Sequence, residues 1–149
     1  MCFLQESPDE LGELSAVQQV IASYALAIDE RDFDRVAECF AEDAEATYAG
    51  VAVPPGREAI RAWIEASSDF AASTHLLATP VVEFVGESAH AVTPAVAFLL
   101  RERDGDLRLH TRGLRYTDEL ERRDGAWRIV RRVHEVSWEA TQPVERARR

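Results

Sequence analysis

Cysteine is scarce in this chain: Cys2 and Cys39 are the only two among 149 residues. They allow neither a disulfide framework nor a zinc pattern. Both are expected to be reduced thiols, which places the protein in the cytoplasm. No stretch approaches the ~20 consecutive apolar residues of a membrane span. The opening "MCFLQESPDELG" turns acidic too early for a signal peptide. Basic charge is also short, with 17 Lys and Arg against 27 Asp and Glu, for a net charge of −10 and a pI near 4.8. That balance argues against nucleic acid and against a membrane surface as partners, because both reward clustered cations.

Several chemical signatures are missing as well. There is no paired histidine at helical spacing and no CxxC, so no metal site is expected. GxGxxG and GxxxxGK[ST] are absent, which removes the nucleotide fingerprints. GxSxG is absent too, and no serine or cysteine stands in a nucleophile context. No cofactor is therefore expected. Internal repeats and low-complexity linkers are also lacking. What remains is ordinary globular composition, 46% hydrophobic and 30% charged, in a chain of one-domain size that can bury a core without staples.

Residues Glu13 to Glu30 carry Val17, Val20, Ile21, Tyr24 and Ile28 at helical spacing, with Ser15 as the expected N-cap. A shorter helix follows, capped by Asp32 and burying Phe33, Val36, Ala37 and Phe40. "AEATYAG" reads as a brief strand, "VPPG" breaks it, and "REAIRAWIEAS" makes a third helix with Ile60, Trp63 and Ile64 inward. From His75 the period changes to that of strands. "HLLATPVVEFV", "AHAVTPAVAFLLRER", "LRLHTRGLRYTDELERR" and "WRIVRRVHEVSW" are separated by turns, two of them the hairpin signals Asp104-Gly105 and Asp124-Gly125. Ala89 to Leu100 is apolar on both faces and reads as a central strand covered on both sides, with Pro94 marking a bulge or bend. The fold class is α+β: a curved, mostly antiparallel sheet wrapped around three N-terminal helices, a cone-shaped barrel with a pocket at its mouth. The domain is placed at residues 13–140, between a flexible N-terminus (1–12) and a flexible tail (141–149).

Asp29 is the first unusual residue. Helical rotation of ~100° per residue groups Gln18, Ala22, Ala25 and Asp29 in one column beside the apolar face. Small residues topped by a carboxylate leave space, although Asp29 could equally cap the next helix. A carboxylate beside a core needs a partner. His75, at the start of the first long strand, would make with it a general base near neutral pH. His90, near a turn, and His110 and His134, in arginine-rich strands, read as surface or sheet-end residues. Period-two counting places Arg112, Leu114, Tyr116 and Asp118 on one strand face.

The ordered segments "YALAIDERDFDRVAECFAEDAEATYAG", "THLLATPVVEFVG" and "RYTDELERRDGAWRIVRR" resemble the SnoaL-like, scytalone dehydratase-like family of the nuclear transport factor 2-like superfamily, over residues 13–138. The resemblance implies that Asp29 and His75 form the catalytic dyad. It also puts Tyr48 where the family binds a substrate carbonyl through water, and turns the face of Tyr116 inward as a pocket wall. The tyrosine that precedes the dyad Asp in the family is Ile28 here, and the family's second active-site histidine falls in "AFLLRE", which holds none. An arginine after the "DGxW" turn matches Arg132, with Arg131 adjacent. Tyr24 is a candidate substrate contact or a core aromatic with its hydroxyl at the edge.

Together these point to a cofactor-independent enzyme acting on a small apolar, polyketide-like or aromatic molecule. Its first step would be proton abstraction from carbon, leading to dehydration, isomerisation or cyclisation. The alternatives are a non-catalytic binding or assembly domain of the same fold, and an epoxide hydrolase-like enzyme with Asp118 as an extra acid. The apolar outer sheet face predicts a homodimer or homotrimer.

Overall fold

A proline opens the first helix. In the computed structural model, which describes residues 8–147, α1 runs Pro8–Glu30. Proline suits this end because its missing N–H would have no helical partner there. Asp9 and Glu10 in the first turn face the positive end of the helix dipole. The helix thus begins before the expected Glu13, so residues 8–12 are helical rather than a flexible arm, and Ser15 lies inside the helix instead of capping it. Cys2 falls outside the described residues. Contrary to the sequence expectation, a window within Asp9–Glu30 reaches a mean hydropathy of 1.2, enough by length and composition to cross a membrane. In the fold, Val17, Ile21, Tyr24 and Ile28 from that helix are buried in the protein core.

The end of α1 is closed by its own backbone. Asp32 donates its N–H to Ala27 O at 2.9 Å and Arg31 donates to Ile28 O at 3.0 Å, with Arg31 in the left-handed region at φ 59°. This is a Schellman motif, which satisfies the last carbonyls of the helix. Asp32 then caps α2 (Phe33–Glu38), its Oδ1 accepting from the Arg35 N–H at 3.1 Å. Helix α3 (Arg57–Ser67) follows the Pro-Pro-Gly break and buries Ile60 and Ile64, with Trp63 only partly buried at its edge.

Seven strands form one sheet: β1 (Phe40–Tyr48), β2 (Val51–Ala52), β3 (Ala72–Leu77), β4 (Val81–Val85), β5 (Ser88–Arg103), β6 (Asp106–Arg123) and β7 (Ala126–Pro143). The order is β2-β1-β7-β6-β5-β3, with β4 also paired to β5. Only β1 and β7 run parallel. The expected α+β architecture stands, but the curved sheet stays open rather than closing into a barrel. Asp104-Gly105 and Asp124-Gly125 form the expected hairpins, with φ of 52° and 82°, then 53° and 79°, the signs a type I′ turn requires. Strand β7 continues past the boundary expected at residue 140.

Two prolines shape the edge. Pro80 splits the expected long strand into β3 and β4, since proline cannot donate to a ladder. Pro94 makes no bulge in the β5–β6 register. It sits instead between the stretch of β5 that pairs with β4, ending at Val92, and the stretch that pairs with β3, beginning at Ala95. Along β5, Ala91, Thr93, Ala95, Ala97 and Leu99 are buried, while Val92, Pro94, Val96 and Phe98 are half-buried or exposed. The strand is therefore fully covered on one face only, since no second layer packs on its other face among the described residues.

Beneath the sheet lies a wholly buried ion pair. Arg132 donates from Nε and Nη2 to the two oxygens of Asp118, each at 2.7 Å, and both side chains are 0% exposed. Asp118→Ala would strand a cation in the core, at a cost of ~3–5 kcal/mol. Urea denaturation should show that loss, while the apolar pair Asp118→Leu with Arg132→Met should lose much less. Equal losses would show that the charge itself is not what makes the single change harmful.

Candidate functional site

The Schellman motif and the Asp32 cap leave Asp29 with no capping task. It stands in the last turn of α1, where the helix dipole disfavours a carboxylate. Three donors from β3 hold it there. Ser73 Oγ donates to Oδ1 at 2.7 Å, the His75 backbone N–H donates to Oδ2 at 2.7 Å, and His75 Nδ1 lies 2.7 Å from Oδ1. Ser73 and His75 are two residues apart on a strand, so both side chains point to the same face, toward α1. Arg31 pins the segment leading into β3, donating from Nη1 to Ser68 O and Phe70 O at 3.2 Å each.

Burial alone pushes the Asp29 carboxyl up. The hydrogen bonds from Ser73, the His75 ring and the His75 amide outweigh it and hold the group below the ordinary carboxylate range. Asp29 is therefore ionised at neutral pH and, as a pure acceptor, fixes the tautomer in which His75 Nδ1 carries the hydrogen and donates it. That leaves Nε2 of His75 as the lone-pair nitrogen, on a side chain 8% exposed that borders a cavity.

The cavity measures about 130 Å³, and His75, Tyr24, Tyr48, Tyr116, Trp63 and His134 are among its walls. Tyr24 and Tyr48 share a hydroxyl–hydroxyl hydrogen bond at 2.8 Å. Trp63 stacks on Tyr48, with ring centres 4.9 Å apart and planes 24° from parallel. Burial drives all three phenols well above their usual range, so they remain hydrogen-bond donors at any working pH.

The structure thus brings together Asp29, His75, Tyr24, Tyr48 and Tyr116, with Asp29 behind the imidazole. Arg132 is the exception. It faces inward while Arg131 is exposed, yet it lies beneath the cavity wall, 3.9 Å from the Tyr24 ring centre and 4.4 Å from that of Tyr116. Its guanidinium is occupied by Asp118 and does not line the pocket. Asp118 is likewise not at the rim. Ala22 is exposed and Ala25 is buried, and neither borders the cavity, so they are not what keeps it open.

His134 was read as a surface residue and is in fact a cavity wall, 8% exposed. Its backbone pairs with Tyr48 on one side and Tyr116 on the other, and its ring centre is 5.4 Å from each of theirs. The signal was available: His134 is two residues beyond Arg132, so an inward Arg132 turns His134 inward too. His110 is half-buried, bonded to Thr141 Oγ1 at 2.8 Å, and His90 is exposed. Cys39 is buried, and burial pushes its thiol up to about 11. Among the described residues, no group of three or more His, Cys, Asp or Glu side chains is placed to hold a metal ion.

Burial, followed by the nearby charges of Arg132 and Arg112, pushes His134 from 6.5 down to about 4. In the folded chain it stays neutral where the unfolded chain would protonate it. Folding stability is therefore complete above pH 6.5, is lost as pH falls toward 4, and loses no more to this group below that. The span corresponds to about 3 kcal/mol. Denaturant midpoints measured across that window should fall more steeply for the natural chain than for His134→Leu. Parallel slopes would contradict the assignment.

The sequence profile of the SnoaL-like domain matches residues 9–133. An uncharacterised protein of Mycobacterium tuberculosis (strain ATCC 25618 / H37Rv) is 29% identical over 126 residues, 83% of this chain and 85% of that one. The scytalone dehydratase-like protein of Novosphingobium aromaticivorans DSM 12444 superposes with a TM-score of 0.76 at 24% identity, covering 93% of this chain and 97% of its own. The LinA structure gives 0.77 at 24% identity, covering 91% and 92%. At these identities the last two speak for the fold. The extent of the profile match decides the family: this chain belongs to the SnoaL-like domain family, within the nuclear transport factor 2-like fold.

Proposed function

We propose that this protein is a cofactor-independent lyase or isomerase in which His75, oriented by Asp29, removes a proton from carbon in a small molecule held against the tyrosine wall. The observation that carries the reading is the 2.7 Å contact between His75 Nδ1 and Asp29 Oδ1, with the same imidazole bordering the cavity. Asp29 fixes the tautomer and stabilises the imidazolium formed when Nε2 takes the proton. The phenols of Tyr48 and Tyr24 supply hydrogen bonds to oxygen where negative charge develops. A cavity of about 130 Å³ is close to the ~150 Å³ that accepts benzene, so a single ring or short chain is the expected size. The name of the superposed scytalone dehydratase-like protein supports elimination as the outcome after proton loss.

In a pure binding domain the bonds from Ser73 and the His75 amide would suffice to dock β3 on Asp29, and the imidazole locked to the same carboxylate at the cavity edge favours catalysis over that alternative. Epoxide opening needs a further acid in the pocket, and Asp118 is committed to Arg132.

Proton abstraction can be followed without knowing the product, as deuterium exchange from D2O into aryl ketones with and without a ring carboxylate. His75→Ala should lower the exchange rate ~10²–10⁴-fold with the fold intact. Asp29→Asn should lower it nearly as much, because an amide holds the ring without stabilising its cation. The double variant should lose little beyond either single, since the two act as one unit. Exchange that survives His75→Ala would end the proposal.

Self-association is also proposed, as a dimer or trimer through the outer sheet face. Leu76 pairs with Val96, Val96 with Gly113 and Gly113 with Trp138, which makes one outward apolar row across β3, β5, β6 and β7. Leu76 is 58% exposed and Trp138 51%, apolar side chains in one line that a partner's sheet face would cover. Light scattering at micromolar concentration should give two or three times 16.7 kDa, and Trp138→Glu should shift it toward one. A monomer in both samples would refute the assembly.

A further inference from the structure

The charges around the cavity differ sharply from those of the whole chain. The protein carries a net charge of −10, yet among the described residues no Asp or Glu lines this space, whereas Arg101, Arg112, His75 and His134 do. Asp29 reaches it only through the imidazole. Arg112 is already matched: its Nε donates to His110 Nε2 at 3.0 Å and lies 2.9 Å from Glu139 Oε1. Arg101 is not matched. Its Nε is shut off from solvent with no hydrogen-bond partner, and it has no ion pair among the described residues. An enclosed, unpaired guanidinium donor on a cavity wall costs free energy unless a ligand satisfies it.

Sheet register places this group relative to the base. Ala97 pairs with His75 on one side and Arg112 on the other, so a small residue leaves open space between them. Arg101 lies four residues along β5 on the same face as Ala97 and Leu99. At ~3.3 Å per residue its backbone stands about 13 Å from Ala97, which leaves room for one ring between the guanidinium and the imidazole after the arginine's own length. A planar fork of N–H donors fits a carboxylate in bidentate fashion.

We infer that the substrate carries a carboxylate, that Arg101 receives it, and that the apolar body between lies along Tyr48 and Trp63 with its acidic carbon at His75. This rests on the reading of the cavity as the substrate site and adds the substrate's charge and the residue that selects it. Arg101 thereby becomes a specificity determinant, and neutral molecules of the same shape are discriminated against.

Benzoate and its neutral isostere benzamide test this by binding alone, read from the Trp63 indole signal in ¹⁵N spectra of the intact chain. Benzoate should move that signal and leave those of Trp127 and Trp138 in place. Benzamide should bind at least ~tenfold more weakly, and Arg101→Gln should weaken benzoate by a similar factor. Arg101→Lys, which keeps the charge but not the fork, should recover part of the affinity. In the unmodified chain, added salt should weaken benzoate and spare benzamide, an arm that holds even if the variants fail to fold. Equal affinity for the two probes, indifference to Arg101→Gln, or an unmoved Trp63 signal would overturn the inference. Because no turnover is read, a chain that binds benzoate through Arg101 yet exchanges no proton would refute the proposed catalysis and leave the carboxylate site standing.

Discussion

A guanidinium that cannot lose its charge sits at the centre of this protein, and the inside is arranged around it. Arg132 is 0% exposed, and an arginine cannot escape burial by deprotonating, as a lysine would. The fold answers with a bidentate carboxylate from the neighbouring strand, Asp118, directly opposite in register. It adds the faces of Tyr24 and Tyr116, and more distantly Phe40, whose rings attract a desolvated cation. Buried pairs of this kind seldom add net stability over an apolar replacement. Their value here is positional. The rings that Arg132 fixes from below are the rings that wall the cavity above, and its charge helps keep His134 neutral.

A second constraint runs from α1 to the end strand of the sheet. Placing Asp29 in the last helical turn works against the dipole, and three hydrogen bonds from β3 outweigh that penalty. Since β3 is paired to the sheet only through β5, these bonds, with those of Arg31 to Ser68 and Phe70, also anchor the strand to the helix layer. The proposed general base and the docking of an edge strand thus share one carboxylate. Loss of Asp29 would loosen the strand as well as release the imidazole. The amide of asparagine, which keeps part of the hydrogen bonding, separates these effects better than alanine can.

Most of the architecture was legible because it rests on local chemistry. Asp-Gly pairs require the φ signs seen at residues 104–105 and 124–125, Asp32 caps as its side chain allows, and the apolar spacing of α1 and α3 selects the faces they bury. The Asp29–His75 contact was legible for a weaker reason: a carboxylate beside an apolar stripe needs a partner, and the resemblance indicated which histidine. Pro80 ended a strand that its flanking apolar residues argued for, and Pro94 marked a change of edge partner that no periodicity announces. His134 and Arg132 were misjudged together. Their alternation was visible, but "RRVHEV" offers arginines to either face, and only the paired Asp118 decides which one is buried.

The unpaired Arg101 explains how an acidic protein can still favour an anionic ligand. The charge of −10 is spread over the surface, and most of the acidic groups named in ion pairs are partly exposed to water. At physiological salt their field decays over ~8 Å, so carboxylates on the far side of the domain contribute little at the cavity. The guanidinium of Arg101 lines the cavity itself, well inside that distance, and its Nε is shut off from water, so a contact made there is stronger than the same contact in water. The local term therefore wins over the global one. The same wall that makes Arg101 attractive to a carboxylate also keeps His134 neutral. In the proposed reading one end of the cavity is thereby left to bind charge, and the other, where Asp29 supports His75, to accept a proton.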